Sequence, residues 1–258
     1  MNYANIPLSI VLKPELHKHV CIWIRFHQKR RPIFYNVYRN GKLNYKLLSN
    51  KTGISDTCIR KHINALFILG WCKRSGKHLV FKGLYRFDSP IITIKTFALR
   101  KQQLLELRYC VIRHNLDLQN RQRSNKEAIV KKAATEFGKL TTKEIKQLSK
   151  LNENPVQPLT ISNKGYGKLI NRSIHTGKLI QKKLRTHAYI KTKKRFRIVK
   201  DNCTLLEYQN VFLMEGKYSL KQHRYFYKGN KVIEQCSNEV VNYKKEPPAI
   251  VVSNIAKN

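Results

Sequence analysis

The chain has 258 residues, room for one large or two small domains, and 41% of them are hydrophobic with 13 Tyr and 10 Phe, enough for packed cores rather than wholesale disorder. Against 15 Asp and Glu stand 52 Lys and Arg, a formal charge of +37. Confining that charge in a compact body costs self-repulsion, which a polyanionic partner relieves; nucleic acid is favoured over membrane because no apolar run approaches the roughly 18 residues of a spanning helix.

The longest apolar candidate, residues 20–24, is cut short by Arg25. The six cysteines, Cys21, Cys58, Cys72, Cys110, Cys203 and Cys236, show no CxxC and no zinc spacing, so reduced, buried small hydrophobes are expected, with no metal and no cofactor. The start lacks a basic stretch followed by an apolar core, so no secretory signal is expected and the cytoplasm is the default location.

In chain order, Ile10-Val11-Leu12 predicts a strand or an arm. Pro14 suits a first helical position, and Leu16, Val20, Trp23, Ile24 and His27 recur at helical spacing, predicting a helix over residues 14–28 closed by a basic cluster at 28–32. Residues 33–38 alternate weakly before the Asn40-Gly41 turn, a short strand or hairpin. Leu48 and Ser49 belong to a short helix ending near Lys51; Gly53 supplies a left-handed turn and Ser55 an N-cap for the next helix. Along that helix Cys58, Ile59, His62, Ile63 and Leu66 make a buried face, and Asp56, Thr57, Arg60, Lys61 and Asn64 an outward one. Gly70 ends it. Residues 71–74, the Ser75-Gly76-Lys77 turn and residues 78–81 read as strand, turn, strand, continued by residues 83–88, with a boundary at Ser89-Pro90.

Residues 97–118 predict a helix with the stripe Leu99, Gln103, Leu104, Leu107, Cys110, Val111, His114 and Leu118. The polar, basic residues 119–126 read as a break, residues 128–139 resume helix, and Thr141 or Thr142 caps a further helix through Gln147 with Glu144 in its first turn. One unbroken helix over residues 97–139 would span about 60 Å at roughly 1.5 Å per residue, so a broken connector is expected. Residues 152–158 form a loop.

The helix–turn–helix pattern then returns 118 residues on: Ser49 maps to Gly167, Gly53 to Asn171, Ser55 to Ser173, Leu66 to Leu184, Gly70 to Ala188 and Trp71 to Tyr189. Asn follows Gly in tolerance of the left-handed turn. Because Ile59 becomes Gly177 and Ile63 becomes Gln181, the buried face is expected to shift toward Thr176, Ile180 and Leu184, leaving Ser173, His175, Lys178 and Lys182 outward. Residues 189–199 predict a second, cationic strand–turn–strand in which Lys193, Arg195 and Arg197 share one side and Lys194, Phe196 and Ile198 the other. Beyond it, residues 205–214 are ambiguous, residues 225–233 predict a β-hairpin around Gly229-Asn230, and residues from 244 on predict a loose tail.

Residues 48–81, through LSxxxGIS…IxxxIxxL…GW, resemble the winged helix-turn-helix of bacterial and phage regulators, and residues 165–199 resemble the same superfamily through GKLINRS and the basic strand pair. The resemblance covers about a quarter of the chain and implies DNA binding rather than a particular biological role. It also implies an α+β, mainly α fold: a winged-helix domain at residues 1–90, a helical connector at 91–124, a second winged helix at 125–200 and a C-terminal β-hairpin extension at 201–258. The segment of residues 29–45 is longer than the link between the first two helices of a minimal winged helix. Two winged helices joined by helix also resemble, as architecture, plasmid and phage replication initiators.

On this reading Arg60 forks onto guanine, Asn64 onto adenine, Thr57 meets a base methyl or a phosphate, and Asp56, which repels phosphate, serves the helix N-terminus. Lys61, Arg74, Lys77 and the second set, Ser173, His175, Lys178, Lys182, Lys193, Arg195 and Arg197, complete the DNA-binding residues, the cationic strand suiting phosphates or the minor groove. The plain alternatives are a protein-interaction module for the first unit and a solvated, aggregation-resistant edge strand for the second wing. Enzyme readings fare worse: His17-Lys18-His19 has the spacing of the metal pair of rolling-circle nucleases but falls on an amphipathic helix as a surface pair, the carboxylates are scattered, and no GxxxxGK[ST] loop occurs. No enzymatic activity is expected. Three partners follow: duplex DNA read in sequence, with homo-oligomers on repeated sites; duplex DNA coated without preference; and RNA, whose common stacking motifs are missing.

Overall fold

The computed structural model describes residues 3–29, 34–81, 89–95, 100–209, 225–244 and 250–253 as a mixed α+β chain with more helix than strand. Contacts divide it into two compact units: Met1–His114, Leu169–Arg172 and Lys245–Asn258 form the first, Asn115–Lys168 and Ser173–Lys244 the second. The basic cluster at residues 30–32, the strand end at 83–88 and the helix start at 97–99 lie outside the described residues.

The first unit opens on β1 (Tyr3–Pro7) and a single turn, α1 (Leu8–Val11). The strand or arm expected at Ile10–Leu12 is therefore helical: Ile10 and Val11 are buried, and burial outweighs their β preference. Pro14 starts a 3-10 turn that leads into α2 (His17–Lys29), near the expected bounds. Val20, Cys21, Ile22, Trp23, Ile24 and Phe26 are all buried, so α2 is enclosed on every side from Val20 to Phe26, while Lys18 near its start is exposed. Its histidines are not a surface pair. His17 is buried, with Nε2 2.6 Å from the Val11 carbonyl, and His19 Nδ1 lies 3.2 Å from Nδ1 of buried His62. Burial pulls the His17 pKa below its ordinary value.

Next come β2 (Phe34–Asn36), β3 (Tyr38–Arg39), β4 (Lys42–Leu43), α3 (Tyr45–Thr52), α4 (Asp56–Ile68), β5 (Cys72–Ser75) and β6 (His78–Phe81). The long link has a use: β2 pairs with β6 to give a three-stranded sheet, β2-β6-β5, and β3 and β4 form a hairpin. Its Asn40 and Gly41 have φ of 47° and 76°, the doubly left-handed turn that matches strand twist. Gly53 (φ 66°) closes α3 with its N–H on the Ser49 carbonyl at 2.7 Å, and the Ser55 hydroxyl accepts from Cys58 N to cap α4. At the far end Trp71 N donates to Leu66 O at 2.8 Å and Gly70 N to Phe67 O at 2.9 Å, a Schellman ending. Ile59, His62, Ile63 and Leu66 are buried as expected; Cys58 is only half-buried. Trp23 meets Trp71 at 6.1 Å and Phe26 stacks on Phe81 at 4.6 Å, joining α2 to the strands in one core. After Pro90, β7 (Ile91–Lys95) pairs with β1.

The expected break at residues 119–126 does not occur: α5 (Arg100–Thr135) is one helix of 36 residues. That run contains no Gly or Pro, and i,i+4 pairs support the helix, Gln119 Nε2 to Asn115 Oδ1 at 2.7 Å and Arg123 to Glu127 at 2.6 Å. Polarity marked exposure, not a break. In the first unit's part of α5, Gln103, Leu105, Glu106, Leu107, Tyr109 and Cys110 are all buried, a wider face than the expected stripe, whose last member Leu118 is exposed. In the second unit α6 (Thr142–Glu153) carries a full capping box between Thr141 and Glu144 and runs past Gln147.

The helix pair then repeats in α7 (Asn163–Leu169) and α8 (Ile174–Thr186). Asn171 (φ 49°) and Ala188 (φ 53°) occupy the positions of Gly53 and Gly70. Ser173 caps α8, Tyr189 N donates to Leu184 O at 2.8 Å and Ala188 N to Arg185 O at 2.9 Å, repeating the cap and the ending of α4. The buried face does not shift as expected. Gly177, Ile180, Gln181 and Leu184 are buried, the same four positions as in α4, and Thr176 is only half-buried. A Cβ on Gly177 would collide with the Asn163 carbonyl oxygen and stand 2.6 Å from Gly167 N, so two glycines replace the larger pair because the helix backbones touch.

The second strand pair also departs from expectation. β8 (Ile190–Lys193) and β9 (Phe196–Lys200) do not fold back on each other. After α9 (Leu205–Glu207) the chain forms β10 (Tyr225–Lys228), β11 (Lys231–Gln235) and β12 (Glu239–Tyr243). β12 pairs with β8 and β11 with β9, so residues 190–200 and 231–243 make one long antiparallel ribbon, interrupted midway. Val240 N donates to Leu159 O at 2.7 Å on the other side of β12, giving β12 the central place that β6 has in the first unit. The expected β10–β11 hairpin is present and adds β10 alongside the β11 part of the ribbon. The tail is not wholly loose: β13 (Ile250–Ser253) pairs with β7 in the sheet β1-β7-β13 of the first unit.

Candidate nucleic-acid interface

With Ile59, His62, Ile63 and Leu66 turned inward, helical geometry leaves Thr57, Lys61, Asn64 and Arg60 exposed along the outer face of α4. Ile68 extends that face at 87% exposure. The spacing 57, 61, 64, 68 puts it outside although it is apolar. Arg60 is held in place: Nε and Nη2 bond the two Asp56 oxygens at 2.9 and 3.2 Å, and the guanidinium lies 4.1 Å from the centre of the Tyr45 ring. An exposed i,i+4 pair of this kind is worth only about 0.3–0.5 kcal/mol, so the fork opens at little cost.

Beside α4, Lys73, Arg74, Lys77 and His78 are exposed on the β5–β6 hairpin. Arg74 is a brace, donating to Gly76 O at 3.1 Å and to Gly41 O at 3.0 Å across the Tyr38 ring, which ties two turns together. The Lys77 side chain is exposed while its carbonyl accepts from Val37 N and Tyr38 N, each at 3.1 Å.

In the second unit His175, Lys178 and Lys182 share the outer face of α8, and Ser173 is occupied as the cap, accepting from Thr176 N at 3.3 Å. Lys193 ends β8 exposed, opposite Glu239 in register. Arg195 lies half-buried in the gap between β8 and β9, where its carbonyl accepts from Cys236 N at 2.9 Å. Arg197 is bonded to Glu234 at 2.6 Å, which raises its pKa further. Within this unit a cleft of about 970 Å³ opens between α8 and the ribbon, lined by Lys164, Lys178, Gln181, Arg197, Glu234 and Asn238 among others. Residues 234–238 escaped the sequence reading because their strand was assigned to a separate hairpin. One signal was available: Lys194 stands where the first hairpin has Gly76, and it offers no turn.

Burial pushes the Cys72 and Cys110 thiols up to about 12, so they stay protonated fillers at neutral pH. Among the described residues no group of three or more His, Cys, Asp or Glu is placed to hold a metal, and no helix is long and apolar enough to cross a membrane. Comparison with protein-family models, with curated proteins and with solved structures gives no match for this chain.

Proposed function

We propose that the chain is a double-stranded DNA-binding protein built on two winged helix-turn-helix units, serving transcription control or replication initiation of a phage or plasmid. The observation that carries this reading is the repeated helix pair: the same turn, caps and buried positions occur twice, each time with a polar, cationic outer face beside exposed cationic strands. In this scheme α4 and α8 each enter a major groove, Thr57, Arg60, Lys61 and Asn64 meeting base edges in one and His175, Lys178 and Lys182 in the other. Lys77, Lys193 and the β8–β12 strand pair meet phosphates, with the Lys178–Arg197 cleft suited to a sugar–phosphate strand. Two unlike reading helices in one chain favour an asymmetric site or direct repeats over a palindrome, with homo-oligomers assembling on the repeats.

Selection from random duplex DNA tests this. An enriched motif is expected, and its absence overturns the reading in favour of a coating protein without sequence preference. Arg60→Ala is expected to relax base preference at one position of the motif, and Lys193→Ala to weaken all sequences about equally.

A further inference from the structure

The three-stranded sheet β10-β11-β9 is finished on one face only. Register places Tyr225, Glu234 and Arg197, with Tyr227, Val232 and Lys200, on the side that is covered around Val232, the Arg197 side chain there remaining 69% exposed. There Val232 is fully buried, the Tyr208 ring lies 5.5 Å from Tyr227, and Tyr208 Oη donates to Tyr225 O at 3.1 Å. The other side carries Phe226, Ile233 and Ile198 in one row across the strands, with Phe196 next along β9. An antiparallel sheet with a covered face ordinarily shows a polar one to water. Here Phe196, Ile198 and Phe226 are 47, 55 and 41% exposed, and the two Phe rings meet at 6.0 Å.

We propose that this open face is a stacking platform for the unpaired bases of single-stranded nucleic acid, a site separate from the duplex-reading helices. Lys228 and Lys231 lie on the same side of the sheet, and Lys194 is exposed just before β9. Glu234, the one carboxylate in the three strands, is on the opposite side, held by Arg197 at 2.6 Å. Aromatic rings ringed by cations suit a polyanion that also offers flat apolar faces. A base inside a duplex offers its edges but not its faces, so the strand must be unpaired. A second copy of the chain is the poorer occupant, because each copy brings a formal charge of +37 to the contact.

The test is fluorescence anisotropy on the full chain with a labelled oligothymidine of about 12 nucleotides, an abasic oligomer of the same length and a hairpin duplex, the length chosen within a typical single-strand site. Phe196→Ala and Phe226→Ala are each expected to weaken oligothymidine binding about fivefold or more, leaving duplex affinity within about twofold. Phe226→Trp should retain affinity, with its indole emission quenched on binding. That variant keeps the ring, so it reads stacking even if the alanine variants unfold. Unchanged oligothymidine affinity, equal losses on duplex, equal affinity for the abasic strand, or absence of quenching each overturns the proposal. So does a dimer in sedimentation that Phe226→Glu disperses, which gives the face to a second copy. A lower melting temperature with unaltered single-strand affinity gives it to another stretch of the same chain and equally overturns it. Failure of the duplex reading, shown by a selection with no enriched motif, leaves the oligothymidine, abasic-strand and quenching outcomes readable.

Discussion

Gly177 and Ala188 carry opposite consequences of one repeated design. At Gly177 the helices α7 and α8 meet backbone to backbone, so Gly177→Ala forces a methyl against the Asn163 carbonyl and Gly167 N. Overpacking against backbone costs about 1–3 kcal/mol, to be read from urea unfolding of the variant. Ala188 instead sits at φ 53° where the first copy has Gly70 at φ 65°. An L side chain pays for that conformation, so Ala188→Gly should stabilise the chain by about 0.5–1 kcal/mol in the same assay, the opposite of a glycine's usual effect. Glu144 offers a pH handle. The Thr141 backbone N–H, the Lys132 ammonium and the Thr141 hydroxyl hold its carboxyl down to about 2, from an ordinary 4.5. A depressed carboxylate stabilises the fold above its unfolded pKa and loses that contribution as pH falls from about 4.5 to about 2. Glu144→Gln should therefore lower the melting temperature at pH 7 and flatten the melting profile across that window.

What the elements owe to neighbours in sequence was legible before any coordinates. The caps Ser55 and Ser173, the left-handed turns at Gly53 and Asn171 and the strand β5 after Trp71 each depend on a few adjacent residues, and all lie where the pattern put them. Pairings across long stretches were not legible. β8 finds its partner about 50 residues on, in Glu239–Tyr243, a segment whose Val240 and Val241 carry no mark of which strand they join. The polar stretch within α5 departs from expectation for a related reason: a missing apolar stripe tells which faces are wet, whereas Gly, Pro and capping residues are the local signals that end a helix. The outer faces of α4 and α8 were legible from periodicity, but the fork of Asp56 on Arg60 and the brace of Arg74 on Gly41 required the fold. The ribbon makes a prediction that a simple β8–β9 hairpin does not. Val240 is buried between β8 and Leu159, whereas Val199 is exposed on β9. Val240→Asp should cost about 3 kcal/mol or more through the buried charge, and Val199→Asp less than about 0.5 kcal/mol. Similar small losses at both positions in chemical denaturation would show that β12 does not close the ribbon.

For the whole molecule the governing quantity is charge: on the proposed DNA-binding reading, +37 on 258 residues makes every duplex, cognate or not, an attractive surface. Contacts to phosphate release counterions, so with about ten of them affinity for random DNA should drop about a thousandfold or more between 50 and 200 mM salt. That loss alone does not separate a regulator or initiator from a coating protein, because both neutralise phosphates. The separating quantity is the ratio of cognate to random affinity at one salt concentration, expected at about 10³ or more if α4 and α8 read bases. Lys77→Ala and Lys193→Ala, in different units, should each reduce the slope of log K against log salt by about 0.9 and leave the ratio unchanged, the double variant losing about twice as much slope. Asn64→Ala on the outer face of α4 should do the reverse, lowering the ratio with the slope intact. A titration series on the four variants and the unmodified chain reads both numbers, and a ratio near one for the unmodified chain would leave only the electrostatic half of the scheme standing.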